Sequence, residues 1–356
     1  LIKKEIYGKT ICVTGAGGSI GSELCLQILQ YSPKRIILIE LSELNLYEIE
    51  IKLKKEYPEI KNNIHSFLGS VKDKLFVESI FKKYSIDLIF HAAAYKHVPL
   101  LEMNPLQAIN NNIFTTYNLC KLSKKYLVKH MVLISTDKAV RPTNVMGATK
   151  RVAEMIVQGH AKVSKNDKEN LIDNNHTSFS IVRFGNVLGS SGSVVPRFQK
   201  QINDGGPITL THREIIRYFM SIKEAVELVL QAASIEKNGD ILLLDMGDPI
   251  KIIDLARQMI ELNGYTIKDK DNPQGEIKII EIGLRPGEKL YEELLIDKNS
   301  QKTSHPLIYR GIESAPGLDE IEKTLGILEK ELNLNNKENS LMLLKSIVPE
   351  WEDRII

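Results

Sequence analysis

The apolar run Thr10–Thr14 leads into Gly15-Ala16-Gly17-Gly18-Ser19-Ile20-Gly21, and a helical pattern covers Gly21–Gln30. A pyrophosphate carries two negative charges and must come close to a helix N-terminus to use its free N–H groups and its dipole. A Cβ would stand in the way, so Gly15, Gly18 and Gly21 read as the points of closest approach, with Ser19 and Ile20 between them. In a strand–turn–helix setting the pattern predicts a dinucleotide site; alone it would say little. Glu40 ends the next apolar run, 19 residues after Gly21 (40 − 21). A carboxylate there suits ribose hydroxyls and repels a 2′-phosphate, which favours NAD over NADP. Glu43 competes for the same role. Ser70 and Val71 follow the third run, where adenine would lie, and Ala92, Ala93 and Ala94 end the fourth. Small residues at those strand ends let the backbone pass beside a cofactor.

A second constellation ends the fifth run: Ser135, Thr136, Asp137 and Lys138, followed by Met146-Gly147-Ala148-Thr149-Lys150 opening a helix. A hydroxyl, a carboxylate and an amine at one strand end can move protons. An isolated Asp–Lys pair is more often solvated and inert. The neighbouring glycine loop and helix start tip the reading towards chemistry. Arg197, Arg217 and Arg285 are spread through the second half, and the planar guanidinium fork suits a diphosphate. His91 reads as a packed strand-end histidine, and no His/Cys/Asp spacing suits a metal.

The segments TGAGGSIGSEL, HAAAYKHVPLLE, STDKAVRPTNVMGATKR, RFGNVLGSSGSVVPRF and RPGEKLYEELL run from about residue 8 to 295. Together they resemble the extended short-chain dehydrogenases/reductases. More narrowly they resemble the bacterial nucleotide-sugar 4,6-dehydratases, in particular the catalytic domain of the membrane-anchored PglF/WbpM/CapD type, which acts on UDP-N-acetylglucosamine. The superfamily places Tyr where Met146 stands, in a Tyr-x-x-x-Lys pair, and Met cannot titrate. The dehydratases resembled also carry Met there, so the group that takes the C4 hydroxyl proton is left open. Two literal Tyr-x-x-x-Lys strings, Tyr57…Lys61 and Tyr117…Lys121, precede the fifth run and read as surface coincidences.

The resemblance implies NAD-mediated oxidation at sugar C4, elimination of water across C5 and C6, and return of hydride to C6. It implies Asp137 as acid for the C6 hydroxyl, Thr136 as a hydrogen-bond partner of the C4 oxygen, and Lys150 on the nicotinamide ribose. Lys138 stands where dTDP-glucose relatives carry a Glu base. A lysine serves as base only when neutral, and burial with nearby positive charge is expected to push its pKa down. Lys96, His97, Asn186, Val195, Arg197, Thr209, Arg217, Arg285 and Glu288 are the implied contacts to the UDP-sugar. Retention of configuration at C5 goes with the Met type. Two other functions compete. A 4-epimerase needs the same C4 oxidation but no acid and base for eliminating water. A non-catalytic dinucleotide sensor is favoured only by the missing Tyr.

Six short runs rich in Val, Ile and Leu alternate with amphipathic stretches through the first half: Thr10–Thr14, Arg35–Glu40, Ile64–Leu68, Asp87–Ala92, His130–Ser135 and Phe179–Phe184. Such alternation predicts an α/β fold, a Rossmann-type doubly wound parallel sheet with helices on both faces. After about Gly185 the alternation fades, and a smaller, interleaved substrate-binding lobe is expected, giving 1–185 for NAD and 186–356 mainly for the nucleotide sugar. Lys165–Asn175 reads as an exposed loop, and the charged, helical tail from Gly317 carries no assigned chemistry. Leu106–Lys125 and Lys150–Ala161 match the helices that build a dimeric four-helix bundle in the superfamily, so a homo-oligomer is implied; their apolar faces could equally pack within one chain.

The 356 residues suffice for a sizeable core, and 43% hydrophobic with 26% charged residues is an ordinary globular balance. Lys+Arg 47 against Asp+Glu 45 leaves +2, which gives no electrostatic case for nucleic acid or for a polybasic membrane patch. Three scattered cysteines, Cys12, Cys25 and Cys120, argue against a disulfide framework and fit a reducing compartment. No apolar run approaches the ~20 residues that span a bilayer, and no signal peptide is seen. The chain starts at Leu1, not Met, which leaves room for an anchor upstream. The expected location is the cytoplasmic domain of an inner-membrane protein, with no membrane contact by this chain itself.

Overall fold

A computed structural model describes residues 1–162, 176–293, 296 and 300–352. The loop expected at Lys165–Asn175 lies outside the described residues. In chain order the first half runs α1 (Ile2–Ile6), β1 (Thr10–Thr14), α2 (Ser19–Leu29), β2 (Arg35–Glu40), α3 (Glu43–Glu56), β3 (Ile64–Leu68), α4 (Lys74–Lys83), β4 (Leu88–His91), α5 (Val98–Met103), α6 (Pro105–Lys125), β5 (His130–Thr136), α7 (Val145–Ala161) and β6 (Ser178–Phe184). The expected strands and helices agree with these to within a few residues at each end. α7 begins within one residue of the expected start at Met146, because the Asn144 side chain accepts a hydrogen bond from the Gly147 N–H at 2.8 Å and caps the helix there.

β6, β5, β4, β1, β2 and β3 lie side by side in that order, all parallel. The chain winds outward from β1 to β3, then returns to set β4 against the other side of β1. That reversal opens a crevice at the carboxyl ends of β1 and β4, where ligands of open α/β sheets bind. Three later strands extend the sheet beyond β6: Ile241–Leu244 in parallel, then Ile308–Gly311 and Gln301–Lys302 antiparallel.

Alternation along the buried strands divides the core. In β1, Cys12 packs with α4, α6 and α7, while Ile11 and Val13 face α2, α3 and the helix Ile222–Ile235. A separate apolar cluster around Phe198, Ile202, Ile208, Leu210, Ile252 and Ile260 forms a smaller lobe. It joins the helices Val194–Asn203 and Ile252–Leu262 to a three-stranded parallel sheet of Ile267–Lys268, Ile277–Glu281 and Ile208–Leu210.

The tail folds as two helices, Leu318–Asn333 and Lys337–Ile347, laid across α6 and α7. Ile321, Leu325, Leu328, Leu344 and Trp351 are buried in the same cluster as Ile113, Val152 and Ile156. Each such side chain contributes roughly 1.5–3 kcal/mol by leaving water. All 17 residues of α7 are buried as a result. The apolar faces of α6 and α7 are thus covered from within the chain, by its own helices. Tyr117 of α6 donates from its hydroxyl to Glu322 at 2.8 Å, a tie to the tail rather than part of a catalytic pair.

Candidate active site

The site is built on the carboxyl ends of β1, β4, β5 and β6. β1 runs into the glycine loop, where Gly15 takes φ +66°, a conformation L side chains rarely adopt. A Cβ at Gly21 would lie 1.9 Å from the Gly15 carbonyl oxygen, so the loop closes on the helix only with glycine there. Gly18 stands at the N-cap of α2 and offers no capping side chain. By contrast Ser42, Asp73 and Asn144 cap α3, α4 and α7 with side-chain oxygens. A dinucleotide's pyrophosphate fits the start of α2, which presents backbone N–H groups and the positive end of the dipole.

A cavity of about 710 Å³ opens from this loop. It is lined by Gly15, Gly18, Ser19, Ile20 and Gly21 of the loop, by Ala92 and Ala94 after β4, and by Thr136, Lys138, Met146 and Lys150. Lys96, His97 and Asn186 line it as well. The sequence thus brings the glycine loop and the β5 end into one space. Ser190, Ser191, Gly192 and Ser193 also line it, which the sequence reading did not single out. The Ser191 N–H donates to Ser19 Oγ at 3.1 Å, and a Cβ on Gly192 would meet the His97 ring at 2.5 Å. Three Ser and two Gly in Gly189–Ser193 were the available signal of a turn whose backbone passes close to the cavity.

Glu40 ends β2 as expected, but its carboxylate is engaged by backbone. It accepts from Gly17 N–H at 2.9 Å and from the N–H groups of Leu41 and Ser42 at 2.9 Å. Ser70, Val71 and Ala93 lie at the ends of β3 and β4 outside the cavity lining; Val71 is buried and Ser70 Oγ accepts from Lys72 N–H. Glu43 begins α3 in an exposed position. His91 is buried between Thr14 Oγ1 at 2.7 Å and Thr116 Oγ1 at 3.2 Å. Burial drives its pKa down to about 3, with Lys150 adding to the shift, so it is a neutral packing residue.

At the β5 end the chain turns through Asp137–Ala139. Thr136 donates to Asp137 Oδ1 at 2.8 Å. Lys138 Nζ donates to Asp137 Oδ1 at 3.0 Å and to Asn186 Oδ1 at 3.3 Å, and reaches Glu292 Oε1 at 3.1 Å. Asp137 is almost fully buried, and its Oδ2 has no hydrogen-bond partner. It lines a smaller cavity of about 190 Å³ with Tyr218, Asp245, Met246 and Glu293, and its Oδ2 lies next to Gly185, which lines the large one. Burial raises the Asp137 pKa; Lys138 opposes this and Glu292 adds to it.

Lys138 departs from expectation. Burial does push its pKa down, but Asp137 and Glu292 on either side outweigh burial and the Arg217 charge, and the net shift is upward. The sequence placed positive neighbours near Lys138 and missed the second carboxylate. Glu292 lies within RPGEKLYEELL, 154 residues from Lys138 (292 − 138), and only the fold brings them together. Its signal was a second acid, four residues beyond Glu288, in a segment already singled out.

Lys150 is buried and lines the cavity. Its Nζ donates to the Ile134 carbonyl at 2.7 Å, and burial lowers its pKa to about 8 against the opposing Glu154. One turn further along α7, Glu154 accepts from Ser135 Oγ at 2.6 Å and from Arg183 Nε at 2.7 Å. Arg151 joins the cluster at 3.4 Å from Glu154, 2.8 Å from Glu313 and 3.2 Å from Glu350. Arg183 also pairs with Glu313. This buried network supports the end of β5 through Ser135.

The expected UDP-sugar contacts divide. Asn186 faces the cavity, and its Nδ2 donates to the Tyr218 carbonyl. Val195 packs on the small-lobe core. Arg197 donates to Thr209 Oγ1, which also accepts from Gln201. Arg217 is already engaged, with Glu292 at 3.0 Å, Glu288 at 3.6 Å and the Ile216, Lys289 and Leu290 carbonyls. Glu288 accepts from Thr211 Oγ1 and from Arg285 N–H, so it closes its own turn. In this geometry Arg217 and Glu288 hold the 285–293 segment in place instead of lining the cavity, because opposite charges in that segment reach them first.

A family model described as polysaccharide biosynthesis protein matches residues 11–313. The chain belongs to that family. It is 49% identical over 315 residues to the capsular polysaccharide biosynthesis protein CapD of Staphylococcus aureus, covering 87% of this chain. The chain spans about half the length of that relative, 49%. A UDP-glucose 4-epimerase of Rickettsia bellii is 30% identical over 349 residues, covering 96% of this chain and 95% of its own. Among solved structures, the X-ray structure of Pen from Bacillus thuringiensis superposes with a TM-score of 0.73 at 32% identity, over 90% of this chain and 99% of Pen. The resemblance read from the five motifs, and the Rossmann-type fold, are both borne out. Among the described residues no helix is long and apolar enough to cross a membrane.

Proposed function

We propose that this chain is an NAD-dependent UDP-N-acetylglucosamine 4,6-dehydratase serving bacterial glycan or polysaccharide biosynthesis. The observation that carries the reading is the Asp137–Lys138 pair at the end of β5, beside a cavity shared by the glycine loop and Lys150. The family membership and the likeness to a capsule protein support the nucleotide-sugar setting.

NAD, when bound, supplies a hydride acceptor that takes hydrogen from C4 and returns it to C6. In this reading Gly15, Gly18 and Gly21 would leave room for its pyrophosphate, Glu40 would serve the adenosine ribose, and Lys150 would hold the second ribose. The remaining work is proton traffic. Met146 has no proton to exchange, so Thr136 and Asp137, hydrogen-bonded to each other, are the route for the C4 hydroxyl proton. Asp137, holding the C4 hydroxyl proton, becomes the acid, while its hydrogen-bonded neighbour Lys138 releases its own proton to solvent to become the base and regains one at the end of the cycle. The neutral amine takes the C5 proton and later restores it; the acid protonates the departing C6 hydroxyl. The C4 hydroxyl proton and the C6 hydroxyl leave as one water, and no reducing equivalents are consumed.

Retention at C5 follows if Lys138 returns the proton to the face it came from, and NMR of the fresh product measures it. Assembly into a homo-oligomer, on a face other than that of α6 and α7, belongs to the same reading, as does attachment of the full protein to the inner membrane.

The test is mass spectrometry of UDP-N-acetylglucosamine incubated with the purified protein and no reductant. A product lighter by one water, without net NADH, is expected. An unchanged mass with an inverted C4 in the NMR spectrum would favour the 4-epimerase reading, which the full-length likeness to a UDP-glucose 4-epimerase keeps in play. Untouched substrate on a protein that holds NAD would overturn the assignment.

A further inference from the structure

Lys138 Nζ sits between two carboxylates, Asp137 Oδ1 at 3.0 Å and Glu292 Oε1 at 3.1 Å. Asp137 is its sequence neighbour. Glu292 arrives from a different part of the chain and is itself buried, at 8% exposure. It does not line the 710 Å³ cavity, whereas Lys138 does. Burying a carboxylate is costly unless it is paired, and this one is paired twice, with Lys138 and with Arg217 Nε at 3.0 Å.

The segment that carries Glu292 is fastened to the catalytic turn at several points. Asn144 Nδ2 donates to the Gly287 carbonyl at 3.0 Å. Lys289 Nζ donates to the Arg141 carbonyl at 2.9 Å, and Arg141 pairs with Glu293. Arg217 gathers the carbonyls of Lys289 and Leu290. Glu292 is therefore delivered to Lys138 by a docked segment.

We propose, on the dehydratase reading above, that Glu292 is a positioning residue of the active centre: it holds Lys138 Nζ beside Asp137 from outside the substrate cavity. It touches neither cofactor nor sugar. Its charge also acts on both members of the pair. The charged or titratable groups facing the cluster are Asp137 and Lys138 on the turn after β5, Arg217 and Tyr218 from the strand side, Glu288, Lys289 and Glu293 from its own segment, and Asp245 across the smaller cavity. Among these, Glu292 favours protonation of both Asp137 and Lys138. Removing its charge while keeping its shape should make both groups release protons at lower pH.

The experiment is Glu292→Gln on the full chain, with two readouts. The first is the pH–rate profile for dehydration. Both limbs are expected to move to lower pH, and kcat to fall by about 10–100-fold, the scale for a residue that orients a reacting group, with KM changed much less. A residue with only a structural role would lower the melting temperature and leave both limbs in place. The second readout needs no substrate: the pH dependence of Lys138 acetylation by acetic anhydride, followed by peptide mass spectrometry. The Lys138 curve should move to lower pH in the variant. If both the profile and the acetylation curve superimpose on those of the parent, the proposal is overturned. If the parent leaves UDP-N-acetylglucosamine untouched but the acetylation curve moves, the dehydratase reading fails and the role of Glu292 stands. Should Glu292→Gln not fold, Glu292→Asp keeps the charge and shortens the reach; it should lower kcat with both limbs unmoved, and an unchanged kcat would equally refute the proposal.

Discussion

Replacing Arg183 by Met tests the buried network under the β5 end. Arg183 is 1% exposed and donates two hydrogen bonds to Glu154, from Nε at 2.7 Å and from Nη2 at 2.5 Å. Met fills a similar volume and leaves Glu154, which is fully buried, with only Arg151 at 3.4 Å and the Ser135 hydroxyl. Breaking a buried pair from one side costs ~3–5 kcal/mol. Arg151 compensates in part, which places the expected loss near the lower end. Glu313, the other partner of Arg183, is 31% exposed and returns to water at little cost. With an unfolding entropy of ~2.1 cal/mol/K per residue, 356 residues give ~0.75 kcal/mol/K, so the melting temperature should drop by about 4–7 °C. Urea unfolding can be followed through Trp351, the single tryptophan, which is buried close to Glu350 of the same network.

The pH dependence carries the sharper test. Burial raises the Glu154 pKa, but Arg183, Arg151 and Ser135 together lower it below the ordinary value. A group with a depressed folded pKa stabilises the fold above its unfolded pKa, ~4.3 for Glu, and that stability is lost as pH falls through the folded value. In Arg183→Met, burial is left largely unopposed and the pKa rises. The deficit should be full above the raised Glu154 pKa of the variant and shrink as pH falls from there to the depressed value of the parent, the range in which Glu154 is neutral in the variant but charged in the parent. A double variant, Arg183→Met with Glu154→Gln, should recover much of the loss. A deficit under ~1 kcal/mol at neutral pH, or one independent of pH, would refute the claim that this pair is a buried charge interaction.

Asp137→Asn should lower dehydration by ~10²–10⁴-fold, the scale of a lost acid–base group, and leave bound NAD in place; product formation and the nucleotide released on denaturation measure the two. Gly21→Ala puts a Cβ 1.9 Å from the Gly15 carbonyl oxygen, and the purified protein should lose its bound dinucleotide, so a variant that retains it would sink the glycine-loop assignment. Leu328→Ala, at a fully buried position on the tail helix Leu318–Asn333, should cost ~2–5 kcal/mol in urea unfolding, whereas Leu262→Ala, at an exposed one, should stay within ~0.5 kcal/mol.

The first half of the fold was readable because each buried strand is a short run of branched residues and each crossover helix keeps a 3.6-residue pattern. The glycine loop was readable for a related reason: its demands are local, a positive φ at Gly15 and a close approach at Gly21. Glu292 was not readable, because its meeting with Lys138 is made by the tertiary path of the 285–293 segment. Arg217 looked like a diphosphate ligand from its type, yet its guanidinium is committed to Glu288, Glu292 and three carbonyls. Residue type states what a side chain can bind; only the fold states what reaches it first. The tail from Gly317 showed its helices but not their destination, since an amphipathic stripe does not name the surface that covers it.

That destination bears on how the protein is made. Arg151 and Glu350 stand 199 residues apart, and Arg183 and Glu313 stand 130 apart. At ~5–20 residues per second of synthesis, Arg151 waits about 10–40 s for Glu350 to leave the ribosome. During that interval α7 lacks both its covering helices and two of the carboxylates that balance its cations. The nucleotide-binding half can collapse early, but the strand end that bears Asp137 and Lys138 gains its full support only when the last helices dock. A nascent chain stalled before Glu313 should therefore be more open to proteolysis along α7 than one released in full.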